Sequence, residues 1–324
     1  MDLNRARRFA HASARAVLTE IAKSGAVKSG AVKAEPAKLS DAQFAHAQVM
    51  LFDYAGIKVA AGKKQLVENR LGRQLRLTAF TDFGAYLSAA AKQPALKQGF
   101  ISALTTNVTS FYREAHHFDV LSLAIKRKAA QPESSGYIPR VWSAGCSTGE
   151  EAISILFTVL ESLPEAQVTS LLIKGQAIIL ATDIDLAVLA TATVAAYSEV
   201  QVRAVPAKWL ARAFEVSDDQ IYRLRNEFKA LIKFHPLNLN APHWMFPINF
   251  GSTQFDAIFC RNVMIYFNAY VQRNLLLKFV PCLHAHSLFF SGHSEMLLHS
   301  ADLFESLGST AYKRKSIPYT AHLA

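Results

Sequence analysis

Residues 141–151 read Val141-Trp142-Ser143-Ala144-Gly145-Cys146-Ser147-Thr148-Gly149-Glu150-Glu151. The apolar beginning predicts a short strand, and the small residues after it predict a sharp turn into a helix. Apolar runs and helical patterns continue to alternate downstream. The predicted strands are Arg140–Ala144, Ala177–Thr182, Phe255–Cys260 and Ser287–Ser291, and the predicted helices are Glu150–Leu163, Leu186–Ala196 and Ala269–Leu283. This alternation is typical of an α/β fold with a doubly wound parallel sheet.

The segment between Tyr197 and Phe234 does not fit this alternation. A helical pattern at 206–213 is followed by two alternating runs, 220–225 and 231–234, that resemble a hairpin. We therefore expect a small antiparallel β-subdomain, inserted at about residues 197–236.

The region before this domain differs in character. Residues 41–106 are predicted to be all-α, with four helices. These are Gln43–Tyr54, Lys63–Leu77, Asp82–Ala90 and Leu96–Leu104. Residues 1–40 are rich in Ala, Lys and Arg and poor in bulky apolar residues, which predicts a flexible extension, with a transit peptide as the alternative. The main domain is then 107–324.

Composition excludes several classes of protein. Of the 324 residues, 51% are hydrophobic and 19% are charged, which excludes a wholly disordered or collagen-like chain. The apolar runs are too short to cross a membrane. Three widely spaced cysteines favour buried thiols and a cytoplasmic location. The net charge of +10 favours an anionic partner: nucleic acid, acidic lipid or an acidic protein surface.

The turn at 143–149 is either an ordinary tight connection or a ligand-binding loop. A dinucleotide fingerprint places its ribose-binding acid about 20 residues downstream, whereas Asp183 follows Gly149 by 34 residues. Glu150 and Glu151 also begin the helix, where a pyrophosphate would need bare amide groups. A cationic cofactor fits better, which indicates S-adenosylmethionine. The simpler role for the two glutamates is to complement the helix dipole.

Two aspartates follow the second predicted strand. Asp183 and Asp185 stand where a carboxylate can accept hydrogen bonds from both ribose hydroxyls. Asp185 also precedes a helical run, so it could equally be a helix cap.

Four further motifs make the pattern specific, because they occur in a family's order and spacing. They are Leu104–Glu114 (LTTNVTSFYRE), Pro236–Leu239 (PLNL), Phe255–Phe267 (FDAIFCRNVMIYF) and Ser291–Glu295 (SGHSE). From about residue 41 to 315 the chain closely resembles the chemotaxis-receptor glutamate methyltransferases (CheR).

The resemblance implies a Rossmann-like, S-adenosylmethionine-dependent methyltransferase domain preceded by a helical receptor-docking domain. The substrates would be glutamate side chains on the cytoplasmic coiled coil of chemoreceptors, and the second product S-adenosylhomocysteine. It also implies a set of cofactor-binding residues: Asn107, Thr109, Arg113, one or both of Glu150 and Glu151, Asp183, Asn238, Leu239, Arg261 and Asn262.

Arg113 and Tyr266 would border the point of methyl transfer. A glutamate with an ordinary pKa of about 4.3 is ionised at neutral pH, so no catalytic base is needed. Arg113 could orient the carboxylate and Tyr266 could donate a hydroxyl hydrogen bond. The alternative for Arg113 is simple pairing with a neighbouring acid.

One helix carries the expected docking surface. Val67, Leu71 and Leu75 recur on one side of it, and Arg70, Arg73 and Arg76 lie on another. The arginines are either a solvated face or a surface that meets acidic residues of the receptor.

The loop 214–220 contains no glycine and is short, whereas relatives that bind a receptor's carboxyl-terminal pentapeptide carry a Gly-containing extension there. We therefore expect a tether-independent enzyme that acts as a monomer without membrane insertion. The alternatives are a nucleic-acid methyltransferase, disfavoured because the 237–240 segment lacks an Asn/Asp-Pro-Pro-aromatic turn, and a non-catalytic cofactor-binding adaptor. His116 and His117 lack metal-ligand spacing, so we expect no metal, and His293 is expected to be structural.

Overall fold

The structure is a computed structural model that describes residues 38–78, 80–131, 136–251, 253–297 and 300–316. The predicted flexible extension lies almost entirely outside these residues. The chain divides into two compact units, one ending at Thr106 and the other beginning at Asn107.

The described part of the first unit is all-α. Its helices are α1 (Asp41–Ala55), α2 (Lys64–Leu77), α3 (Phe83–Lys92) and α4 (Pro94–Leu104), with a 3₁₀ turn at Ala61–Lys63. Local signals define their starts: Ser40 and Gln43 form a capping box on α1, and Asp82 caps α3. Leu51, Leu71 and Ile101 are fully buried in this unit. The four predicted helices are confirmed to within a few residues.

The second unit contains a seven-stranded sheet with helices on both faces. Its helices are α5 (His116–Ala129), α6 (Glu150–Glu161), α7 (Glu165–Lys174), α8 (Leu186–Val194), α9 (Glu199–Val202), α10 (Ala207–Ala213), α11 (Asn226–Lys229) and α12 (Ala269–Phe279). Its strands are β1 (Val141–Ala144), β2 (Ile179–Asp183), β3 (Ala196–Ser198), β4 (Phe214–Val216), β5 (Ile221–Leu224), β6 (Ile232–Pro236), β7 (Phe255–Cys260), β8 (Leu283–Ser291), β9 (Phe304–Gly308) and β10 (Ala311–Arg314). Three further 3₁₀ turns occur at Ile248–Phe250, Met264–Tyr266 and Val280–Cys282.

The large sheet has the order β6-β2-β1-β7-β8-β10-β9. Its first five strands are parallel, and β10 and β9 add an antiparallel edge. Strand residues alternate between two hydrophobic clusters, one on each face: Val141 packs with α6, and Trp142 packs with α12. The chain passes from β1 outward through β2 to β6 and then returns to β7 on the other side of β1. Parallel sheets of this kind place ligands at the carboxyl ends of their strands, near that reversal.

The predicted β-subdomain is present, but its boundary differs. Strands β3, β5 and β4 form a small antiparallel sheet that ends at Leu224. The run 231–234 was predicted as the second strand of a hairpin, and this is wrong: β6 pairs in parallel with β2 in the large sheet. Alternation shows that one strand face is buried but does not identify the neighbouring strand. This pairing carries Asn238 to the carboxyl edge of the sheet.

No helix within the described residues is long and apolar enough to cross a membrane.

Candidate active site

The turn between β1 and α6 is held tightly against β2. The N–H groups of Gly145 and Cys146 both donate to the Thr182 carbonyl, at 2.8 and 2.9 Å. Gly145 has φ 104°, and a Cβ atom there would lie 2.4 Å from Cγ2 of Val263, so both conformation and space require glycine. Ser147 has φ 50°, which exposes its N–H to the end of β2. The turn is therefore tightly fixed against β2, which is compatible with both an ordinary tight connection and a ligand-binding loop.

Asp183, at the end of β2, faces this turn. Its Oδ2 accepts the Ser147 N–H at 2.9 Å, and its Oδ1 accepts the Asp185 N–H at 3.0 Å. Burial raises the pKa of Asp183 to about 6, although these two N–H groups act in the opposite direction. A carboxylate can accept about four hydrogen bonds, so this one retains capacity for a further donor such as a ribose hydroxyl.

Asp185 and Asn107 connect the loop before α5 to the same edge. The Asp185 carboxylate caps α8 by accepting the Ala187 N–H at 2.9 Å, so its helix-cap role is confirmed. It also accepts from Nδ2 of Asn107 at 2.7 Å, and the Asn107 carbonyl accepts from the Ser147 hydroxyl at 2.8 Å. Asn107 is thereby placed beside both the turn and Asp183. Thr109 lies half-buried two residues further along.

Glu150 and Glu151 occupy the first turn of α6, and both are engaged by side chains. Glu150 accepts from the Thr148 hydroxyl at 2.6 Å and from Gln201 at 3.3 Å. Glu151 accepts from the Ser143 hydroxyl at 2.7 Å. Burial raises the pKa of Glu151, opposed by the nearby cation Arg261. Two acids at the helix start make this end of α6 unfavourable for an anionic ligand.

Arg261 follows β7 and is the centre of a buried ion-pair network. Its side chain is 1% exposed. Nη1 lies 3.2 Å from Oε2 of Glu151, and Nη2 lies 3.4 Å from Oε2 of Glu114. Nη2 also donates to the Arg113 carbonyl, and the guanidinium lies over the Phe118 ring. The expected contact of Arg261 with the cofactor stays a prediction, whereas the structure shows that its guanidinium holds the Arg113 carbonyl.

The segment that carries Arg113 adopts an unusual backbone. Tyr112 and Glu114 have φ of 52° and 57°, in a region that non-glycine residues rarely occupy. Such conformations persist only where the surroundings fix them. Here the Tyr112 N–H donates to the Ser154 hydroxyl at 3.0 Å, and Arg261 holds the next carbonyl. The Arg113 side chain remains 40% exposed, and its Nη1 donates to the Val108 carbonyl at 3.1 Å.

The expected alternative for Arg113, pairing with a neighbouring acid, is also present. Its Nε lies 3.9 Å from Oε1 of Glu114. In the described part of the chain, the Nη2 group of Arg113 donates to no other residue. Arg113 is therefore anchored on one side and open on the other.

Glu295 organises the segment that carries Asn262 and Tyr266. Its carboxylate accepts the N–H groups of Asn262, Ile265 and Gly292, at 2.7, 3.0 and 2.5 Å. Asn262 has φ 58°, and Tyr266 ends the adjoining 3₁₀ turn, where it is half-buried. Sequence reasoning quoted Glu295 within a motif but assigned it no role. An acidic residue four positions after a buried strand end was the available signal.

Asn238 and Leu239 follow β6, and Leu239 borders a small cavity. The Leu237 N–H bonds the Asp183 carbonyl at 2.9 Å, which joins this segment to β2. The Asn238 side chain accepts the Asn240 N–H at 2.9 Å. A cavity of about 210 Å³ is lined by Leu239, Asn240, Pro242, Phe267, Tyr270, Val271, Asn274, Leu275 and Lys278. Its apolar wall with amide groups suits a flat heteroaromatic ring.

A second cavity has a volume of about 570 Å³. Its mainly apolar wall includes His116, Met296, Phe304 and Tyr312. His293, also in this wall, is exposed, and its expected structural role stays a prediction. No cluster of His, Cys, Asp and Glu suited to a metal ion occurs in the described ranges.

In the first unit, the three arginines of α2 differ in environment. Arg70 donates to the carbonyls of Leu104 and Thr105, each at 3.0 Å, and so caps the end of α4. Arg73 and Arg76 are exposed. Of the three arginines of the expected docking surface, Arg70 therefore has a structural contact.

Comparison with known proteins agrees with this arrangement. Residues 107–313 match the family model "CheR methyltransferase, SAM binding domain", and residues 42–105 match "CheR methyltransferase, all-alpha domain". The chain is 40% identical over 268 residues to the chemotaxis protein methyltransferase of Klebsiella aerogenes, covering 81% of this chain and 86% of that protein.

Two further relatives give similar values. The chemotaxis protein methyltransferase of Escherichia coli K12 is 38% identical over 268 residues, covering 81% of this chain and 87% of that protein. Chemotaxis protein methyltransferase 2 of Pseudomonas aeruginosa is 37% identical over 265 residues, covering 81% and 89%. These matches confirm the predicted cofactor, S-adenosylmethionine, and the chain belongs to the CheR methyltransferase family.

Proposed function

We propose that this protein methylates glutamate side chains on the cytoplasmic coiled-coil part of chemoreceptors, forming methyl esters in chemotactic adaptation. The observation that carries the proposal is the joining of two features at one edge of the sheet. Asp183 is fixed by Ser147, and Ser147 is fixed in turn by Asn107, which begins the loop that leads to Arg113. The acid that we assign to the ribose is thus joined, through Ser147 and the loop that begins at Asn107, to the segment that carries an anchored cation. The names of the relatives support a role in chemotaxis.

S-adenosylmethionine, when bound, supplies an electrophilic methyl group on a positively charged sulfur. Asp183 would accept the ribose hydroxyls, and the cavity beside Leu239 would take the adenine ring. Glu150 and Glu151 would keep this end of the site negative, which suits a cofactor carrying an ammonium group and a sulfonium.

The protein's own contribution is alignment. The substrate glutamate is ionised at neutral pH, so it needs no base. The Nη2 group of Arg113 would hold one carboxylate oxygen by a charge-assisted hydrogen bond, and the Tyr266 hydroxyl would restrict its direction of approach. Because the attacking carboxylate is already ionised, no residue of the protein would need to accept a proton.

The experiment is incubation with methyl-labelled S-adenosylmethionine and an isolated receptor signalling fragment. We expect label in the receptor that is released as methanol by base, since methyl esters hydrolyse and methylated amines do not. A receptor fragment with glutamine at its methylation positions is the matched control. Label that resists base, label in nucleic acid, or none at all would contradict the proposal.

We further propose that the enzyme does not depend on a receptor tether. Strands β4 and β5 are joined by the four-residue turn 217–220, closed by the Ser217 N–H to the Ile221 carbonyl at 3.1 Å. No extension is available there to add to a bound peptide strand. Calorimetric titration with a receptor's carboxyl-terminal pentapeptide should give no micromolar binding, and clear heat of binding would contradict this.

We also propose how the enzyme docks on the receptor and which oligomeric state it has. Arg73 and Arg76 would meet acidic residues of the receptor helix, and the enzyme would act in the cytoplasm as a monomer. Light scattering coupled to gel filtration, with a mass near 35.7 kDa expected, tests the monomer.

A further inference from the structure

Glu114 lies in a network of charges that the proposed function does not assign. Its Oε1 is 3.9 Å from Nε of Arg113, and its Oε2 is 3.4 Å from Nη2 of Arg261 and 3.7 Å from Nδ1 of His117. The side chain is only 14% exposed. No other residue of the described chain forms ion pairs with both arginines.

Neighbouring groups stabilise the ionised form of Glu114. Burial acts to raise the pKa of this carboxyl, but Arg261, the nearby backbone N–H of His293, His117 and Arg113 outweigh it, so that the pKa lies below its ordinary value. His117 contributes little positive charge of its own at neutral pH, because burial and Arg261 lower its pKa to about 4. Glu114 therefore faces its two arginine partners as an anion.

Arg113 needs such a partner more than a buried arginine would. Its side chain is 40% exposed, and an unrestrained arginine can adopt many rotamers. The Val108 carbonyl holds Nη1 and leaves the direction of the guanidinium plane open to rotation. The Glu114 carboxylate, 3.9 Å from Nε, is too far for a hydrogen bond but attracts this side of the guanidinium by its charge, which favours the orientation that leaves Nη2 on the open side.

The backbone strengthens this assignment. Tyr112 and Glu114 hold left-handed φ on either side of Arg113. Strained residues of this kind cluster where a precise side-chain direction matters. The strain brings the Glu114 side chain back towards its own neighbour in sequence.

We propose that Glu114 is a positioning residue, which fixes the guanidinium of Arg113 for the substrate carboxylate. The inference rests on the proposed function, since it assumes that Arg113 contacts the substrate. Glu151 is not assigned this role, because its carboxylate pairs with Arg261, at 3.2 Å, rather than with Arg113.

The test is a double-mutant cycle of Glu114→Gln and Arg113→Ala, measured as kcat with the receptor fragment. Glu114→Gln alone should lower kcat about tenfold and leave KM for the receptor and the dissociation constant of S-adenosylhomocysteine within about twofold. In the Arg113→Ala background it should have almost no further effect, and Glu114→Asp should recover part of the loss. Losses that multiply would mean that Glu114 acts only through the fold, and would overturn the proposal.

A second measurement does not need the substrate. The Nε–H signal of Arg113 in ¹⁵N NMR, assigned by its loss in Arg113→Ala, should report a rigid side chain in the wild type and a mobile one in Glu114→Gln. Asp256→Asn is the matched control, since it removes another carboxylate of 8% exposure that pairs with a lysine at the opposite edge of the sheet. If Arg113 is equally rigid in Glu114→Gln, the positioning role of Glu114 is overturned, whether or not the receptor is the substrate. If Arg113 becomes mobile in Glu114→Gln but no methyl ester forms on the receptor, only the proposed function is contradicted.

Discussion

The backbone N–H of Ser147 donates a 2.9 Å hydrogen bond to the carboxylate of Asp183. This bond joins the turn after β1 to the end of β2, and it fixes the acid that we assign to the ribose. It also makes Asp183 the most informative residue of the cofactor side.

Asp183→Ala should weaken binding of S-adenosylhomocysteine about 10- to 100-fold, because hydrogen bonds to a charged group contribute about 1.5–3 kcal/mol. Isothermal calorimetry measures the change. Asp302→Ala is the control, since that aspartate forms an exposed ion pair with Arg273 at 2.5 Å. Unchanged affinity in Asp183→Ala would show that the ribose lies elsewhere.

The affinity should also depend on pH. The pKa of Asp183 is raised to about 6, and its ionised form is the better acceptor for two hydroxyls. Binding should therefore be about tenfold weaker at pH 5 than at pH 7, and Asp183→Asn should remove most of this dependence. A flat profile in the wild type is the contrary outcome.

The same raised pKa has an opposite effect on stability. The folded protein holds the proton on Asp183 more tightly than the unfolded chain, whose carboxyl has its ordinary pKa near 3.8. The contribution of Asp183 to the free energy of unfolding is therefore largest below pH 4 and is lost as the pH rises through about 6. Urea denaturation of wild type and Asp183→Asn across this range compares the two, and a difference that is constant with pH would refute the assignment.

Arg113→Ala should lower kcat about 100-fold or more through lost alignment, with cofactor affinity nearly unchanged. Arg212→Ala is the matched control, because that arginine is 41% exposed and also pairs with a glutamate, Glu165, at 2.5 Å. It lies in α10, outside the proposed site. Near-normal turnover in Arg113→Ala would exclude Arg113 from the transfer step.

Arg261→Ala should destabilise the protein by about 3–5 kcal/mol, because it leaves Glu114 and Glu151 buried without their common partner. Arg273→Ala, which removes an exposed pair, should cost less than about 1 kcal/mol. Urea denaturation separates the two, and equal effects would show that the Arg261 network carries little net energy.

On the substrate side, Arg73→Glu with Arg76→Glu should raise KM for the receptor and make it less sensitive to salt, without altering cofactor binding. Lys92→Glu on α3 changes charge by the same amount per residue at another exposed position of this unit. If Lys92→Glu raised KM as much, only net charge would matter and the α2 surface would not be specific.

Much of this arrangement follows from the sequence. Periodicity located the helices of the first unit and the central strands, because Leu71 and Val141 lie in patterns that burial imposes directly. The neighbour of β6 could not be read in the same way, since Phe234 would be half-buried in either sheet. Motif position identified Asp183 and Asn107 as candidate site residues, but the contacts of Glu114 and Glu295 depend on left-handed backbone at residues 112, 114 and 262, which the sequence does not display.

The central claim is that S-adenosylmethionine lies at the carboxyl edge of this sheet with its reactive side towards Arg113. A crystal structure with S-adenosylhomocysteine measures this most directly. We predict both ribose hydroxyls on the Asp183 carboxylate, the adenine beside Leu239, and the sulfur facing the Arg113 guanidinium. A product molecule bound at any other place, or a sulfur turned away from Arg113, would contradict the account.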